Sequence, residues 1–245
     1  MHKFNFSHFV LPLWLVATGL ALPARATLIG GVEFPQGAVS FADAVVSYAP
    51  VLVNGTQPTL PHREPTRALG VPDYADDNSC ASGPECTFVS LGDGGTLTLR
   101  FVDNLLTGSG NNQADLWIFE VGPDVEDMFV EISADGVNWL AVGKVGGSTA
   151  GVDLDAFGYG INSSFGYVRL RDDPLLDGQS GATVGADIDA VGAISTIRVT
   201  AVPEPQTWAL LLAGLVAARI GAGRRTPTSS GGDAPLRARR FWGLG

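Results

Sequence analysis

Apolar residues occupy every second position along several stretches in the middle of this chain. Leu97, Leu99 and Phe101 alternate with polar residues in GTLTLRF, and Val168 and Leu170 do so in GYVRLRD. Successive side chains of a β-strand point to opposite faces, so this spacing predicts strands that bury one face. No stretch between residues 27 and 202 has a convincing helical period. The pattern therefore predicts an all-β protein, an antiparallel β-sandwich.

Further strands are predicted in four other stretches. These are AVSFADAVVSY from Ala38, DLWIFEV from Asp115, MFVEIS from Met128 and ADIDAVGAI from Ala186, with a turn at residues 134–136. The chain has 32 glycines and only 16% charged residues. This composition is typical of short strands joined by tight turns.

The region between the two chain ends is strongly acidic. From Thr27 to Val202 it has 23 acidic and seven basic residues, a net charge of −16. Such a body repels nucleic acid and attracts cations, so nucleic-acid binding is disfavoured. His62 is its only histidine, which excludes zinc sites built from several histidines or cysteines. Because no G-x-S-x-G motif is present either, we expect His62 to be a solvated loop residue.

The N-terminal segment has the features of a secretory signal peptide. Lys3 is followed by the apolar stretch FVLPLWLVATGLAL, and Ala24 and Ala26 are small residues where signal peptidase requires them. Pro12 interrupts the apolar stretch and no stop-transfer sequence follows, which argues against a retained membrane helix. We therefore predict a signal peptide at residues 1–26, removal by signal peptidase, and export.

A second apolar segment lies near the C-terminus. Trp208–Ala218 is apolar throughout, and continuing the segment to Gly223 gives 16 residues, or about 24 Å of helix. A hydrocarbon core is about 30 Å thick, and a snorkelling Arg219 reduces the difference. Arg224 and Arg225 follow and would hold the cytoplasmic side. The segment predicts a transmembrane helix with the acidic body outside.

Pro203, Glu204 and Pro205 precede this helix and its two arginines, and the ordered set resembles the PEP-CTERM sorting signal of Gram-negative bacteria. The resemblance covers residues 203–225. It implies recognition by an exosortase-type membrane protease, cleavage near the Pro-Glu-Pro motif, and transfer from a transient inner-membrane anchor to the cell surface or extracellular matrix. Family tails normally end soon after the arginines, whereas here a basic tail, residues 226–245, follows, which we expect to be disordered.

Two motifs of the body resemble discoidin-like, galactose-binding-type jelly rolls. SADGVNW at residues 133–139 is similar to their S-x-D-G-x-x-W hairpin, and YVRL at residues 167–170 is similar to their R-Y-V-R-[IL] strand, with Gly166 replacing the usual arginine. The resemblance covers the central half of the body. It implies a jelly-roll sandwich at residues 27–202, in which Trp139 packs back on the core. Such folds host many ligands, so it implies little about function.

The chain has two cysteines, Cys80 and Cys86. In an exported chain, oxidation would close a small loop around ASGPE. The spacing is not C-x-x-C and no further soft ligands exist, which disfavours a redox or metal pair. We predict a disulfide that staples this loop.

Paired aspartates suggest a bound cation. Asp187 and Asp189 are two residues apart on a predicted strand, so both carboxylates would leave one face. The same spacing separates Asp153 from Asp155, and Asp73 shares a loop with two further aspartates. Calcium takes six to eight oxygen ligands, which such residues supply outside the cytoplasm. We predict a structural calcium ion, with Asp187 and Asp189 as leading ligands. The alternative, for every group, is turn residues and solvated acids.

No catalytic constellation stands out in the sequence. A glycosidase needs two carboxylates at a set distance, and nothing singles out one pair among the many present. Trp117, Trp139 and Tyr159 are candidates for a sugar platform, although each is as easily a core residue. We predict a non-catalytic matrix or adhesion protein that binds carbohydrate, with the host's exopolysaccharide as the expected partner. The alternative is a hydrolase or lyase acting on that polysaccharide.

Overall fold

The computed structural model describes residues 26–74, 86–121, 126–175 and 181–199. The chain divides into two units, Met1–Thr200 and Ala201–Gly245, and every described residue belongs to the first. The sorting signal, the basic tail and all but the last residue of the signal peptide lie outside the described residues, so these assignments stay predictions. Among the described residues, no helix is long and apolar enough to cross a membrane.

Short β-strands dominate the described part of the chain. They are β1 (Thr27–Ile29), β2 (Val32–Phe34), β3 (Ala44–Ala49), β4 (Val89–Ser90), β5 (Thr96–Arg100), β6 (Asn104–Leu106), β7 (Leu116–Glu120), β8 (Asp127–Ser133), β9 (Leu140–Gly146), β10 (Thr149–Val152), β11 (Tyr167–Asp172), β12 (Asp187–Ala193) and β13 (Thr196–Arg198). Short 3₁₀ turns lie at Gly37–Ser40, Leu60–His62, Pro65–Ala68 and Asp155–Phe157.

Two antiparallel sheets form the body. The five-stranded sheet has the order β3-β5-β11-β8-β9, and the four-stranded sheet has the order β10-β7-β12-β4. Their neighbouring strands all pair antiparallel. Two small sheets, β1-β2 and β6-β13, flank them. The predicted all-β antiparallel sandwich is confirmed.

One apolar core joins the two large sheets. The five-stranded sheet contributes fully buried side chains such as Leu99, Ile132 and Val168, and the four-stranded sheet contributes Ile118 and Val191 among others. These residues occupy alternate positions of their strands, as the sequence pattern predicts. Burial of this apolar surface between the sheets is the main force that holds the sandwich together.

The N-terminal hairpin and the segment after it cover the outer side of the four-stranded sheet. Phe34 and Phe41 pack there against Phe119 of β7 and Ala190 of β12. The ring centroids of Phe34 and Phe41 are 4.6 Å apart, and both lie about 6 Å from that of Phe119. We call this side of the sheet the covered face. A β-carbon at Gly192 would lie 2.7 Å from the Phe34 ring, so only glycine fits beneath the cluster.

Two sequence predictions need correction here. The early strand is shorter than predicted, because Gly37–Ser40 is a 3₁₀ turn and the strand begins only at Ala44. His62 is buried, with 4% of its surface exposed, and is therefore not a solvated loop residue. Its 3₁₀ turn places the imidazole 5.5 Å from the Phe88 ring, with Nδ1 2.8 Å from Thr59 Oγ1. Burial lowers the pKa of His62.

The predicted turn at residues 134–136 joins β8 to β9. Gly136 has a φ of +74°, which favours glycine. The Ser133 hydroxyl accepts the Gly136 N–H at 2.9 Å, and Asp135 Oδ1 accepts the N–H groups of Val137 and Asn138, each at 2.8 Å. The hydrogen bonds account for the serine at position 133 and the aspartate at position 135. The positive φ accounts for the glycine at position 136.

Candidate functional site

Three aspartates meet where β7 and β10 lie side by side. Asp115 comes directly before β7, and Asp153 directly follows β10. The two strands pair antiparallel with Val152 opposite Leu116, so the end of one lies beside the start of the other. Asp155, in the next 3₁₀ turn, completes a group whose ligand oxygens all lie within 4.8 Å of one another. We call these three residues the acidic triad.

Backbone and hydroxyl donors hold the acidic triad in place. Asp115 is fully buried; its Oδ1 accepts the Ser195 hydroxyl at 2.6 Å and its Oδ2 accepts the Leu154 N–H at 2.9 Å. Asp155 Oδ2 accepts the N–H groups of Ser109 and Gly110, both at 2.9 Å. The triad therefore also pins two loops to the sheet, a structural role that needs no cation.

The geometry of the acidic triad suits a shared cation. Two oxygens bound to one calcium ion at about 2.5 Å each lie at most about 5 Å apart, and the triad's oxygens fall within that limit. A depression of about 370 Å³ opens beside Asp153 and Asp155 and is also lined by Asn111 and Asn112. Carboxylate and amide oxygens are ligands that calcium prefers.

The leading sequence candidates, Asp187 and Asp189, are both buried on β12 but have separate partners. Asp187 accepts the Ser90 hydroxyl. Asp189 lies at a β-bulge between Ile188 and Ala190, and its two oxygens accept the N–H groups of Asp73 and Tyr74 at 3.3 and 3.2 Å. The structure thus brings Asp73 to Asp189. Calcium binding by these residues stays a prediction.

Several buried carboxyls of the four-stranded sheet are poorly solvated. Glu120 is fully buried on β7, and burial raises its pKa, with a further contribution from the neighbouring Glu126. Burial also raises the pKa of Asp187 well above its ordinary value. The pKa of Asp189 rises to about 7, because of burial and the nearby Asp73 carboxyl. Burial therefore disfavours the charged form of these three carboxyls.

The outer side of the five-stranded sheet, here called the open face, has a different character. Tyr167, Arg169 and Arg171 point outward from β11, while Val168 and Leu170 between them are buried in the core. Arg169 lies between Thr98 of β5 and Glu131 of β8, and Arg171 lies opposite Phe129 of β8. Because opposite residues of paired strands share a face, these side chains form one continuous surface.

Each aromatic ring of the open face has a cation over it. The guanidinium carbon of Arg169 lies 4.2 Å from the centroid of Trp139, and that of Arg100 lies 5.5 Å from Tyr167. Over Phe129 lie Arg171 at 4.4 Å and Lys144 Nζ at 5.8 Å. These distances fall within the range of cation–π attraction.

Acidic partners neutralise only some of these cations. Lys144 Nζ lies 2.8 Å from Asp127 and 2.6 Å from Asp173, and Arg169 Nε donates to Glu131 at 2.7 Å. Within the described ranges, Arg100 and Arg171 form no ion pair, and both are exposed. A depression of about 340 Å³ lies between β8 and β9 and is lined by Phe129, Glu131, Lys144 and Arg171 among others.

The three aromatic candidates from the sequence do not form one platform. Tyr159 packs against the core, with its ring 5.5 Å from Phe165. Trp117 lies on the covered face, beside a cleft of about 650 Å³ that Glu33 and Gln113 help to line. Trp139 lies on the open face under Arg169 and is not among the described side chains that pack on the core, contrary to what the family resemblance implies.

The predicted disulfide falls partly outside the described residues. Cys86 is buried and packs with Phe88 and Val121, whereas Cys80 lies in the segment 75–85, which the structure does not describe. The pairing stays a prediction.

Sequence reasoning missed Asp115 as a partner of Asp153 and Asp155, and it missed the open face. Asp115 is 38 residues from Asp153, and only the β7-β10 register connects them. For the open face a partial signal existed, because Arg169 and Arg171 alternate with buried residues in GYVRLRD. Their aromatic partners come from other strands and loops, which one strand's pattern cannot reveal.

Comparisons with known proteins give little further information. No known protein-family model matches the chain, and no curated protein matches it. Among solved structures, the chain is similar to the C-terminal domain of a chitobiase from Bacteroides fragilis, with 15% identity and a TM-score of 0.34. The match covers 67% of this chain and 98% of that domain.

Proposed function

We propose that this chain is an exported protein of a bacterial cell surface or extracellular matrix, whose jelly-roll sandwich binds polysaccharide without cleaving it. The predicted signal peptide and PEP-CTERM-like sorting signal support this location. They also imply that signal peptidase and an exosortase-type protease are partners. The open face is the observation that carries the binding proposal. It presents Phe129, Trp139 and Tyr167 together, with cations over their rings, on the outer side of the five-stranded sheet.

The breadth of the open face suits a polymer. Side chains from four adjacent strands contribute to it, and the depression between β8 and β9 offers a concave stretch. Carbohydrate recognition combines aromatic surface with a few placed polar groups, and the open face offers both. Trp139 gives the largest ring, and Arg169 above it is a polar donor held in a fixed position.

The carboxylates of the open face support binding over catalysis. Glycoside hydrolysis needs one carboxyl group that gives up a proton and a second that acts as base or nucleophile. On this face Glu131 is paired with Arg169, and Asp127 is paired with Lys144. Because a cation already holds each of these carboxylates, neither is free to contact a glycosidic bond, so we assign the face no catalytic role.

Calcium enters the proposal as a structural ion at the acidic triad. Asp115, Asp153 and Asp155 would supply carboxylate oxygens, and the two positive charges of the ion would offset most of the repulsion among these three groups. It would tie the loop after β10 to the start of β7. The fully buried Asp115 would benefit most, because an ionised carboxylate is costly away from water.

A screen of the full chain against immobilised glycans, with reducing-end release measured in parallel, tests this function. We expect binding to at least one extracellular polysaccharide and no release of new chain ends. Trp139→Ala should weaken binding about tenfold, as expected for an aromatic residue central to an interface. Trp117→Ala is the matched control from the covered face.

Three results would overturn parts of this proposal. Binding to no glycan would reject the function. Chain cleavage would establish the hydrolase or lyase alternative in its place. Loss of binding in Trp117→Ala, with Trp139→Ala unaffected, would move the site to the cleft that Trp117 lines.

A further inference from the structure

Basic residues are concentrated on the open face, although the body as a whole is acidic. Residues 27–202 have seven lysines and arginines against 23 acids. Four of the seven, Arg100, Lys144, Arg169 and Arg171, belong to this one face. Because unlike charges attract, the open face is the part of the body that an anionic partner can approach most favourably.

The cations limit what the aromatic rings can do. A guanidinium or ammonium group lies over each of the rings of Phe129, Trp139 and Tyr167. The ring face that a cation covers is not available to stack against a neutral sugar. The rings instead hold the long arginine side chains in place, so less conformational entropy is lost when those arginines bind a ligand.

Arg100 and Arg171 are the cations with unused binding capacity. Both are exposed, and neither forms an ion pair with the described residues. The ion pair of Arg169 with Glu131 uses Nε alone among the three guanidinium nitrogens. A planar guanidinium can bind the two oxygens of a carboxylate at once, which gives both strength and orientation.

The three arginines form a row along the sheet. Arg169 and Arg171 are two residues apart on β11, and Arg100 on β5 lies opposite Tyr167, two residues further on. With roughly 3.4 Å per residue, the row is about 14 Å long and has an arginine at about every 7 Å. Such a row fits an extended chain that repeats its charge better than it fits one small anion.

From these observations we infer that the open face binds a carboxylated polysaccharide, a chain of uronic acid residues, and discriminates against neutral glycans. This inference rests on the proposed function and adds the ligand class. The carboxylates of the chain would face Arg100 and Arg171, with Arg169 between them. Phe129, Trp139 and Tyr167 would act as positioning residues beneath the cations.

Binding of the full chain, held in mild detergent, to polygalacturonate and to the same polymer after reduction of its carboxyl groups tests the inference. The two polymers share a backbone and differ in charge. We expect the carboxylated polymer to bind at least about a hundredfold more tightly, since two charge-assisted contacts are lost on reduction and each accounts for about a tenfold change. Binding should weaken as sodium chloride is raised, because salt screens exposed charges.

The variant R100Q/R171Q keeps an uncharged polar side chain at each position and removes both unpaired charges. It should lose about a hundredfold in affinity for polygalacturonate. The control R67Q/R198Q makes the same change in net charge outside the open face and should bind like the parent. A cooperative unfolding transition in both variants would show that any loss is not caused by misfolding.

Each contrary outcome has a distinct meaning. Equal binding of the carboxylated and reduced polymers would overturn the inference while leaving the proposed function in place. Equal losses in the two double variants would show that net charge, and not this face, attracts the polymer. Tighter binding to a sulfated polysaccharide or to single-stranded DNA would reject a carboxylated ligand. Binding to no polysaccharide at all would reject the proposed function itself.

Discussion

The two large sheets differ in the sign and the exposure of their charged residues. On the four-stranded sheet, Phe34, Phe41 and Phe119 exclude water from the covered face, and the strands of this sheet bury carboxyls such as Glu120 and Asp189. On the open face, cations lie over aromatic rings and remain exposed to solvent. The protein therefore buries some of its acidic residues, while most of the basic residues of its body lie on the open face.

The difference shows how an acidic domain tolerates its own charge. Buried carboxylates need donors, and here the backbone often supplies them. Asp172 accepts the N–H groups of Gly94 and Ala186 at 2.8 and 2.9 Å, just as Asp189 accepts those of Asp73 and Tyr74. Such acids serve the fold, because they fix loops to strands. On the open face, Arg100 and Arg171 lie over aromatic rings and form no ion pair with the described residues, which is why we assign them to ligand binding.

Removing an aromatic ring from each face should give the largest contrast. Phe34→Ala deletes a fully buried ring, and we expect the unfolding free energy to fall by about 3–5 kcal/mol. Phe129→Ala deletes a half-buried ring, and its loss should be about 1 kcal/mol. Urea titrations of both variants measure the difference. Similar losses would show that the two faces are equally important for stability and that the distinction between them is wrong.

Calcium should bind at the acidic triad and not at the open face, and it should thereby raise the unfolding free energy. An ion that binds only the folded protein raises the unfolding free energy by about 2.7 kcal/mol at a hundredfold excess over its Kd. We expect this rise in millimolar calcium, a smaller one in magnesium, and none in D153N/D155N. Sodium chloride of matched ionic strength is the control for general screening.

The variant D187N/D189N compares the leading sequence candidates with the acidic triad in the same assay. If this variant loses the calcium response and D153N/D155N keeps it, the ion is bound at β12 of the four-stranded sheet. If both variants respond like the parent, neither group of aspartates binds calcium.

Long strands with one buried face could be predicted from the sequence, and short ones could not. β5, β8 and β11 have five to seven residues each, enough to show the two-residue period. β4 has two residues and β13 has three, which is too short for any period to appear. His62 was wrongly predicted as solvated, because only the tertiary fold places Phe88 against its ring.

The candidate sites depended on contacts that no local pattern contains. The pairing of Asp187 with Asp189 assumed a regular strand, but β12 has a bulge at this point and each side chain finds its own donor. Asp153 and Asp155 were singled out by their spacing, and the structure brings their oxygens close together, but the third member of the group lies at the start of β7. The way in which distant strands pair determines which of their residues meet. Alternation within one strand contains no information about that pairing.

The most gradual of the expected effects is a change in how stability depends on pH. The pKa of Asp189 is raised to about 7 in the folded protein, because of burial and the neighbouring Asp73 carboxyl, whereas an unfolded aspartate has a pKa of about 3.9. Between these values the folded state holds a proton that the unfolded state has released. The unfolding free energy should therefore fall as pH rises from about 4 to 7, by at most about 1.4 kcal/mol per pH unit for this group. Asp189→Asn should make this slope shallower, by up to the contribution of one bound proton.

An aspartate outside the four-stranded sheet provides the control for this measurement. The pKa of the exposed Asp135 is lowered because its carboxylate accepts the N–H groups of Asn138 and Val137. A lowered pKa adds stability that is lost only as pH falls below the unfolded value, so Asp135 is ionised in both states between pH 5 and 7. Asp135→Asn should leave the slope unchanged in that window. Urea titrations at pH 5, 6 and 7, with a chelator present to remove divalent cations, compare the two variants with the parent. If Asp189→Asn has the parent's slope, Asp189 is ionised when folded, and its part of the four-stranded sheet is more hydrated than the packing indicates.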